Sequence, residues 1–268
     1  MSLPLYLAMM KNHGKMLGGF IYGASAYIVL IIWIYPSIAD MKGFNEMIAA
    51  LPEGMRKLIG MENGINSLSD YIAGEFYGML LLIILMVYVI LTSTRVMARL
   101  VDQGSMAYLL ATPNSRVKVA ITQAAVLLTG LALIVGFTTL SGIAASEWLI
   151  DGYQLDVPSF ITLNLLTFLV FSSIAGYCFF ISSVNNDEKK ALGISAGITL
   201  LFYMLNMAGK LSEKTEWMLN FTIFKWYDPI KMINNETEAL WIGCALGILT
   251  FLLFMLSVAA FKKRNLPL

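Results

Sequence analysis

The chain has 268 residues, 58% of them hydrophobic and 13% charged, with 18 Lys and Arg against 17 Asp and Glu for a net charge of +1. Soluble domains sit near ~45–50% apolar and ~25% charged, so this composition excludes a soluble domain and indicates an integral membrane protein. The balanced charge, with no basic patch interleaved with aromatics, gives no reason to expect a nucleic-acid partner.

The N-terminus, Met1 to Lys15, carries apolar Leu3, Leu5, Leu7, Met9 and Met10 ahead of a basic end. That order is the reverse of a cleaved signal peptide. It fits an amphipathic helix lying on the inner membrane surface, or a plain extension of the first span. His13 stands alone and lacks the partners a metal site needs. The first span covers about 16–35, roughly the 20 residues a bilayer core requires. Gly18, Gly19 and Gly23 give it a small-residue face suited to close helix packing. In the outer loop that follows, Phe44, Met47, Ile48, Leu51, Met55, Leu58 and Ile59 form an apolar stripe broken by Pro52, which predicts one or two surface helices.

The second and third spans, about 75–98 and 117–143, enclose the most informative loop. Arg95, Arg99, Arg116 and Lys118 face a single acid there, Asp102. Gly104-Ser105 breaks the preceding helix, Met106 to Ala111 forms a short one, Pro113 ends it, and Asn114 or Ser115 caps the next. Two readings fit: an ordinary inner loop, or a docking element for a soluble partner. The fourth and fifth spans cover about 159–184 and 191–209, joined by a tight polar turn at Asn185 to Lys190. Gly193 and Gly197 again have helix-packing spacing. The segment from Lys210 to Glu238 mixes charge with Trp217, Phe221, Phe224, Trp226 and Tyr227, which suits the interface or a re-entrant piece shielded by protein. A sixth span, about 239–261, ends in Lys262-Lys263-Arg264. No linker or second domain is evident, so residues 1–268 read as one transmembrane domain.

Six spans place both termini on one side. The segments on that side hold 11 Lys or Arg, against 7 spread over longer segments on the other, which predicts cytoplasmic termini. Trp33, Trp148, Trp217, Trp226 and Trp241 all fall near the opposite boundary, where amphipathic rings favour the headgroup layer.

No span has an Asp, Glu, Lys, Arg or His near its middle, which argues against an ion-coupled carrier and against an intramembrane enzyme, which needs converging acids, bases or nucleophiles. No catalytic or metal-ligating set emerges. Cys178 and Cys244 lie in apolar runs and read as small buried hydrophobes, while Gln123, Asn164 and Asn206 read as interhelical hydrogen-bonding groups. A phosphate-binding loop is also missing: Gly209-Lys210-Leu211-Ser212 lacks the glycine such a loop needs at position 204, which is Met. Energy for uphill movement would have to come from another chain.

The stretch from Gly104 to Arg116, with its leading glycine, the pair Leu109-Leu110, and Pro113-Asn114-Ser115-Arg116 opening the third span, resembles the first cytoplasmic loop of ABC-2 type ABC transporter permeases. The six-span layout, the first span ending in Tyr35-Pro36 and the basic tail are similar too. An acidic residue soon after the glycine is commoner in that family; here Ser105-Met106-Ala107 stands instead.

The resemblance implies an all-α fold of six transmembrane helices with an amphipathic N-terminal helix and a short cytoplasmic coupling helix. It implies half of a permease dimer in a bacterial plasma membrane, formed with a second copy or a paralogue and surrounded by membrane lipid. ATP and Mg would be bound by cytoplasmic ABC ATPase subunits beneath it, not by this chain. Coupling would fall to Gly104, Ser105, Met106, Tyr108, Leu109, Leu110, Pro113, Ser115 and Arg116. The expected function is the membrane subunit of an ATP-driven exporter of an amphipathic or hydrophobic cargo (lipid, peptide or antibiotic). The alternative is a non-transporting scaffold, sensor or immunity subunit of the same layout.

Overall fold

A computed structural model describes residues 1–39, 41, 43–58, 64, 67–112, 114–230 and 236–265. Those residues form helices and connections with no strand among them. Six helical stretches are long and apolar enough to cross a bilayer: Leu3–Ala39, Leu68–Asp102, Arg116–Trp148, Val157–Val184, Glu188–Leu211 and Leu240–Lys263. They coincide with the six predicted spans and overrun most of them, because a helix ends at its caps and not at the hydrocarbon boundary.

Helix α1 (Leu3–Ala39) is continuous over 37 residues, about 55 Å at the α-helical rise. The N-terminal residues therefore extend the first span, the second of the two sequence readings. The backbone N–H of Ser2 is tied to the hydroxyl of Thr122 at 2.9 Å. Beyond α1, the short helices α2 (Phe44–Ala49) and α3 (Glu53–Leu58) flank Pro52, as the broken apolar stripe predicts; Ile59 lies outside the described residues. Gly54 lets α3 rest on the end of the fifth span, where a Cβ would fall 2.2 Å from the Leu211 carbonyl oxygen.

The second span is built from α4 (Leu68–Tyr71), a π-helical stretch (Ile72–Leu80), α5 (Leu81–Val96) and α6 (Ala98–Asp102). A π-helix of this length is rare, and nothing in the sequence pattern announces it. After α7 (Ser105–Ala111) come the long helices α8 (Arg116–Trp148), α9 (Val157–Val184) and α10 (Glu188–Leu211), and finally α11 (Glu236–Lys263). In their most apolar stretches the spans containing α5, α8 and α9 are mostly buried, while α1, α10 and α11 are buried there at fewer than a third of positions. The centre of the bundle is α9, which packs against α5, α8, α10 and α11.

Lipid tails are as apolar as leucine, so close packing and interhelical hydrogen bonds must hold such a bundle together. The Tyr77 hydroxyl donates to Asn164 Oδ1 at 2.7 Å, and that of Tyr88 to the Leu127 carbonyl at 3.2 Å. Tyr177 and Thr199 join α9 to α10 at 2.7 Å, and Ser173 and Thr250 join α9 to α11 at 2.8 Å. Of the three predicted interior amides, Asn164 makes its interhelical bond. Both polar atoms of Gln123 and the Oδ1 of Asn206 lack partners among the described residues.

Two 3₁₀ segments, Glu213–Phe221 and Ile223–Trp226, follow α10. They resolve the ambiguous stretch as one that turns into the bundle. Phe224 and Tyr227 are buried against Phe171, midway along α9, with ring centroids 6.4 and 6.0 Å away. The Tyr227 hydroxyl donates to the Tyr77 carbonyl in the π-helical stretch at 2.9 Å. All five tryptophans are exposed, and the topology gathers them towards the end of the bundle away from Lys262-Lys263-Arg264.

Candidate functional site, a short helix at the basic end

The loop between the second and third spans is built from local breaks. At Met97 the backbone leaves the helical region, with φ −127° and ψ −73°. The N–H of Ala98 there donates to the Ser182 hydroxyl on α9 at 3.0 Å. After α6 the chain turns at Gly104, whose φ of +71° is left-handed, a conformation glycine adopts without the steric cost a Cβ would bring. α7 follows at once. It ends at Thr112, whose hydroxyl donates to the Leu109 carbonyl at 2.6 Å and accepts from the Asn114 side-chain amide at 2.9 Å. Of the two capping candidates, Ser115 does the work: its Oγ accepts from the Lys118 N–H at 3.2 Å. Pro113 lies outside the described residues.

The site residues divide by exposure. Met106, one of the residues named for coupling, is fully buried, so it anchors α7 to the bundle. Tyr108, two residues on, is 81% exposed. Leu109 and Leu110 are half-buried against the core. α7 thus presents Tyr108 flanked by two partly covered leucines.

Around it lies a polar frame. Arg99 faces Glu188 at 3.8 Å, and Asp102 accepts from the Glu188 N–H at 3.3 Å, placing its negative charge at the N-terminus of α10, where the helix dipole favours it. Arg116 donates to the backbone carbonyl of Arg264. Arg264 in turn donates to the Ser183 carbonyl at 2.6 Å and to the Asn186 side chain. Partial burial disfavours the charged form of Arg264 and pulls its pKa below the ordinary arginine value. Arg116, one of the residues expected to couple, also fastens the tail. The basic tail and the polar turn were both visible in sequence, but nothing there paired them.

The predicted packing glycines face outward from the single chain. Gly18, Gly19, Gly23, Gly193 and Gly197 are exposed on α1 and α10, and a Cβ at any of them would meet nothing within 4 Å. Close helix approach within the chain uses other positions: Gly142 beside Phe160 and Ile28, and Gly176 beside Leu253. A small-residue stripe permits a close neighbour without specifying which helix supplies it.

No three His, Cys, Asp or Glu side chains converge into a metal-binding group among the described residues. Comparison with curated proteins gives no significant match. The family profile described as ABC-2 family transporter protein, however, matches residues 24–266. That match takes in residues 24–39 of the first membrane-crossing helix, the other five such helices and the loop carrying α7, and the chain therefore belongs to the ABC-2 transporter family.

Proposed function

We propose that the chain is the membrane subunit of an ATP-driven exporter and that α7 is its docking element for a separate cytoplasmic ATPase. The observation that carries this reading is the mounting of α7: Met106 sinks into the bundle while Tyr108 stands 81% exposed. On one side the left-handed turn at Gly104 and the tether from Ala98 to Ser182 connect α7 to the second span and α9. On the other side the Ser115 cap joins it to α8. A push on Tyr108, Leu109 and Leu110 then reaches the second and third spans together, as rigid-body motion of packed helices requires. ATP and Mg belong to the partner, and nucleotide state shifts the permease only by favouring one arrangement over the other.

The basic end is cytoplasmic in this reading, with both termini there. A second copy or a paralogue completes the pathway across the exposed faces of α1 and α10. Because the span middles carry no charge, the cargo is amphipathic or apolar: a lipid, a hydrophobic peptide or an antibiotic. Reconstituted protein that exported only inorganic ions would contradict that assignment.

The deciding experiment is a pull-down from mild detergent with mass spectrometry. A copurifying ATPase, lost in Tyr108→Asp and Leu109→Asp while membrane insertion persists, is the expected result. A chain that purifies alone, with both variants silent, would instead support a scaffold, sensor or immunity subunit.

A further inference from the structure

α8, α9 and α11 part along one face to leave a groove of about 720 Å³, within the ~300–1,000 Å³ range of small-molecule sites. Its walls are apolar: Ile121 and Leu128 from α8, Phe168 from α9, and Phe251, Phe254 and Val258 from α11. Exposure of Ile121 and Phe251 shows that it opens sideways, where lipid would stand. Lys262 lines one end and Gly247 the other; a Cβ at Gly247 would meet nothing within 4 Å. The helical rise from Gly247 to Lys262 is about 22 Å. That is close to one leaflet, half of a ~30 Å hydrocarbon core plus its headgroup layer. The groove therefore runs from the basic rim to the middle of the bundle and stops there.

Charge indicates the occupant. Lys262 is exposed at the rim, and Lys118 lies one turn from Ile121 on the same face of α8. Arg116, Lys263 and Arg264 stand beside them, and none of the five forms an ion pair with an acid among the described residues. A second copy pressing the same face against this one would oppose like charges across a twofold axis. An anionic headgroup would neutralise them.

We propose that this groove binds an anionic phospholipid of the leaflet at the basic end, one acyl chain lying along α11 and the phosphate held by Lys262 and Lys118. The lipid is a resident one that braces α8 against α11 beside the joint between Arg116 and Arg264, distinct from any cargo.

The test uses the full chain in mild detergent, titrated with phosphatidylglycerol or phosphatidylcholine, with retained lipid read by native mass spectrometry. Phosphatidylglycerol is expected to be retained over phosphatidylcholine, each lysine contributing about fivefold. Lys262→Gln together with Lys118→Gln should abolish the preference. Gly247→Phe should abolish retention of both lipids, and its open surroundings leave the bundle unstrained. Equal retention of the two lipids, or unchanged retention in Gly247→Phe, would mean non-specific annular lipid and overturn the proposal. A change of oligomeric state in Gly247→Phe would assign the groove to a second copy and overturn it as well.

Discussion

The guanidinium of Arg116 donates to the backbone carbonyl of Arg264, joining the first residue of α8 to the chain just past α11. Arg264 reaches back to the Ser183 carbonyl and Asn186 at the end of α9. Three spans are thus pinned at one point, directly beyond the exit from α7. Any displacement of α7 along α8 must carry α9 and α11 with it or break this joint.

Arg116→Ala should therefore loosen the tail without unfolding the bundle. A hydrogen bond from a charged group contributes about 1.5–3 kcal/mol, and partial exposure places this one at the lower end. Faster hydrogen exchange over residues 258–265, with little change in the global unfolding midpoint, is the expected result. Arg264→Ala keeps the backbone carbonyl that Arg116 uses but removes the bonds to Ser183 and Asn186, so it should speed exchange over the same residues, and the double variant should add less than the sum because both links hold one segment. Additive effects would show that the two arginines act separately.

Gly104 sets where α7 starts. An alanine held at its φ of +71° costs about 1–2 kcal/mol, and proline cannot adopt that angle at all. Gly104→Pro should abolish stimulation of the partner ATPase by transport substrate while insertion is kept; Gly104→Asn, which tolerates left-handed backbone, should retain most of it. ATPase rates of the reconstituted complex provide the readout. Equal behaviour of the Pro and Asn variants would separate the turn from coupling.

Features governed by neighbouring residues were legible in the sequence. The apolar runs gave six spans, Gly104 and Ser115 gave the ends of the loop, and Pro52 gave the break between α2 and α3. Features governed by distant partners were not. Arg116 and Arg264 are 148 positions apart, and Tyr77 and Tyr227 are 150 apart. Met106 illustrates the boundary between the two: its place in a short amphipathic helix was readable, but which side of that helix meets the bundle depends on how α6 leaves α5 at Met97. The π-helical stretch left no trace because its residues are as apolar as those of an ordinary span.

Tyr77 joins that stretch to two partners, donating to Asn164 and accepting through its carbonyl from Tyr227. Tyr77→Phe would leave the Asn164 oxygen without its donor in a buried setting. Interhelical hydrogen bonds in membranes average about 0.6 kcal/mol and reach about 1.7, so a modest fall in the unfolding midpoint is expected. Tyr227→Phe should fall by a similar amount and also expose Trp226 and Phe224 to faster proteolysis, since that hydroxyl tethers the re-entrant segment. Wild-type stability in both variants would show that ring packing against Phe171 and Phe160 holds the region alone.

The glycines separate packing inside the chain from packing between chains. A Cβ at Gly142 would fall 2.8 Å from Phe160 and 2.9 Å from Ile28, and one at Gly176 would fall 2.8 Å from Leu253. Leucine at either position should therefore push α8 or α9 off its neighbour and lower the stability of the isolated chain, an overpacking cost of about 1–3 kcal/mol. Leucine at Gly18 or Gly193 meets open space and also gains helix propensity, so the isolated chain should be at least as stable as wild type. If a second copy approaches across α1 and α10, those same two variants should lose the dimer in crosslinking and lose export, while Gly142→Leu and Gly176→Leu weaken the protomer first. Intact dimers and export in Gly18→Leu and Gly193→Leu would move the dimer interface away from both helices.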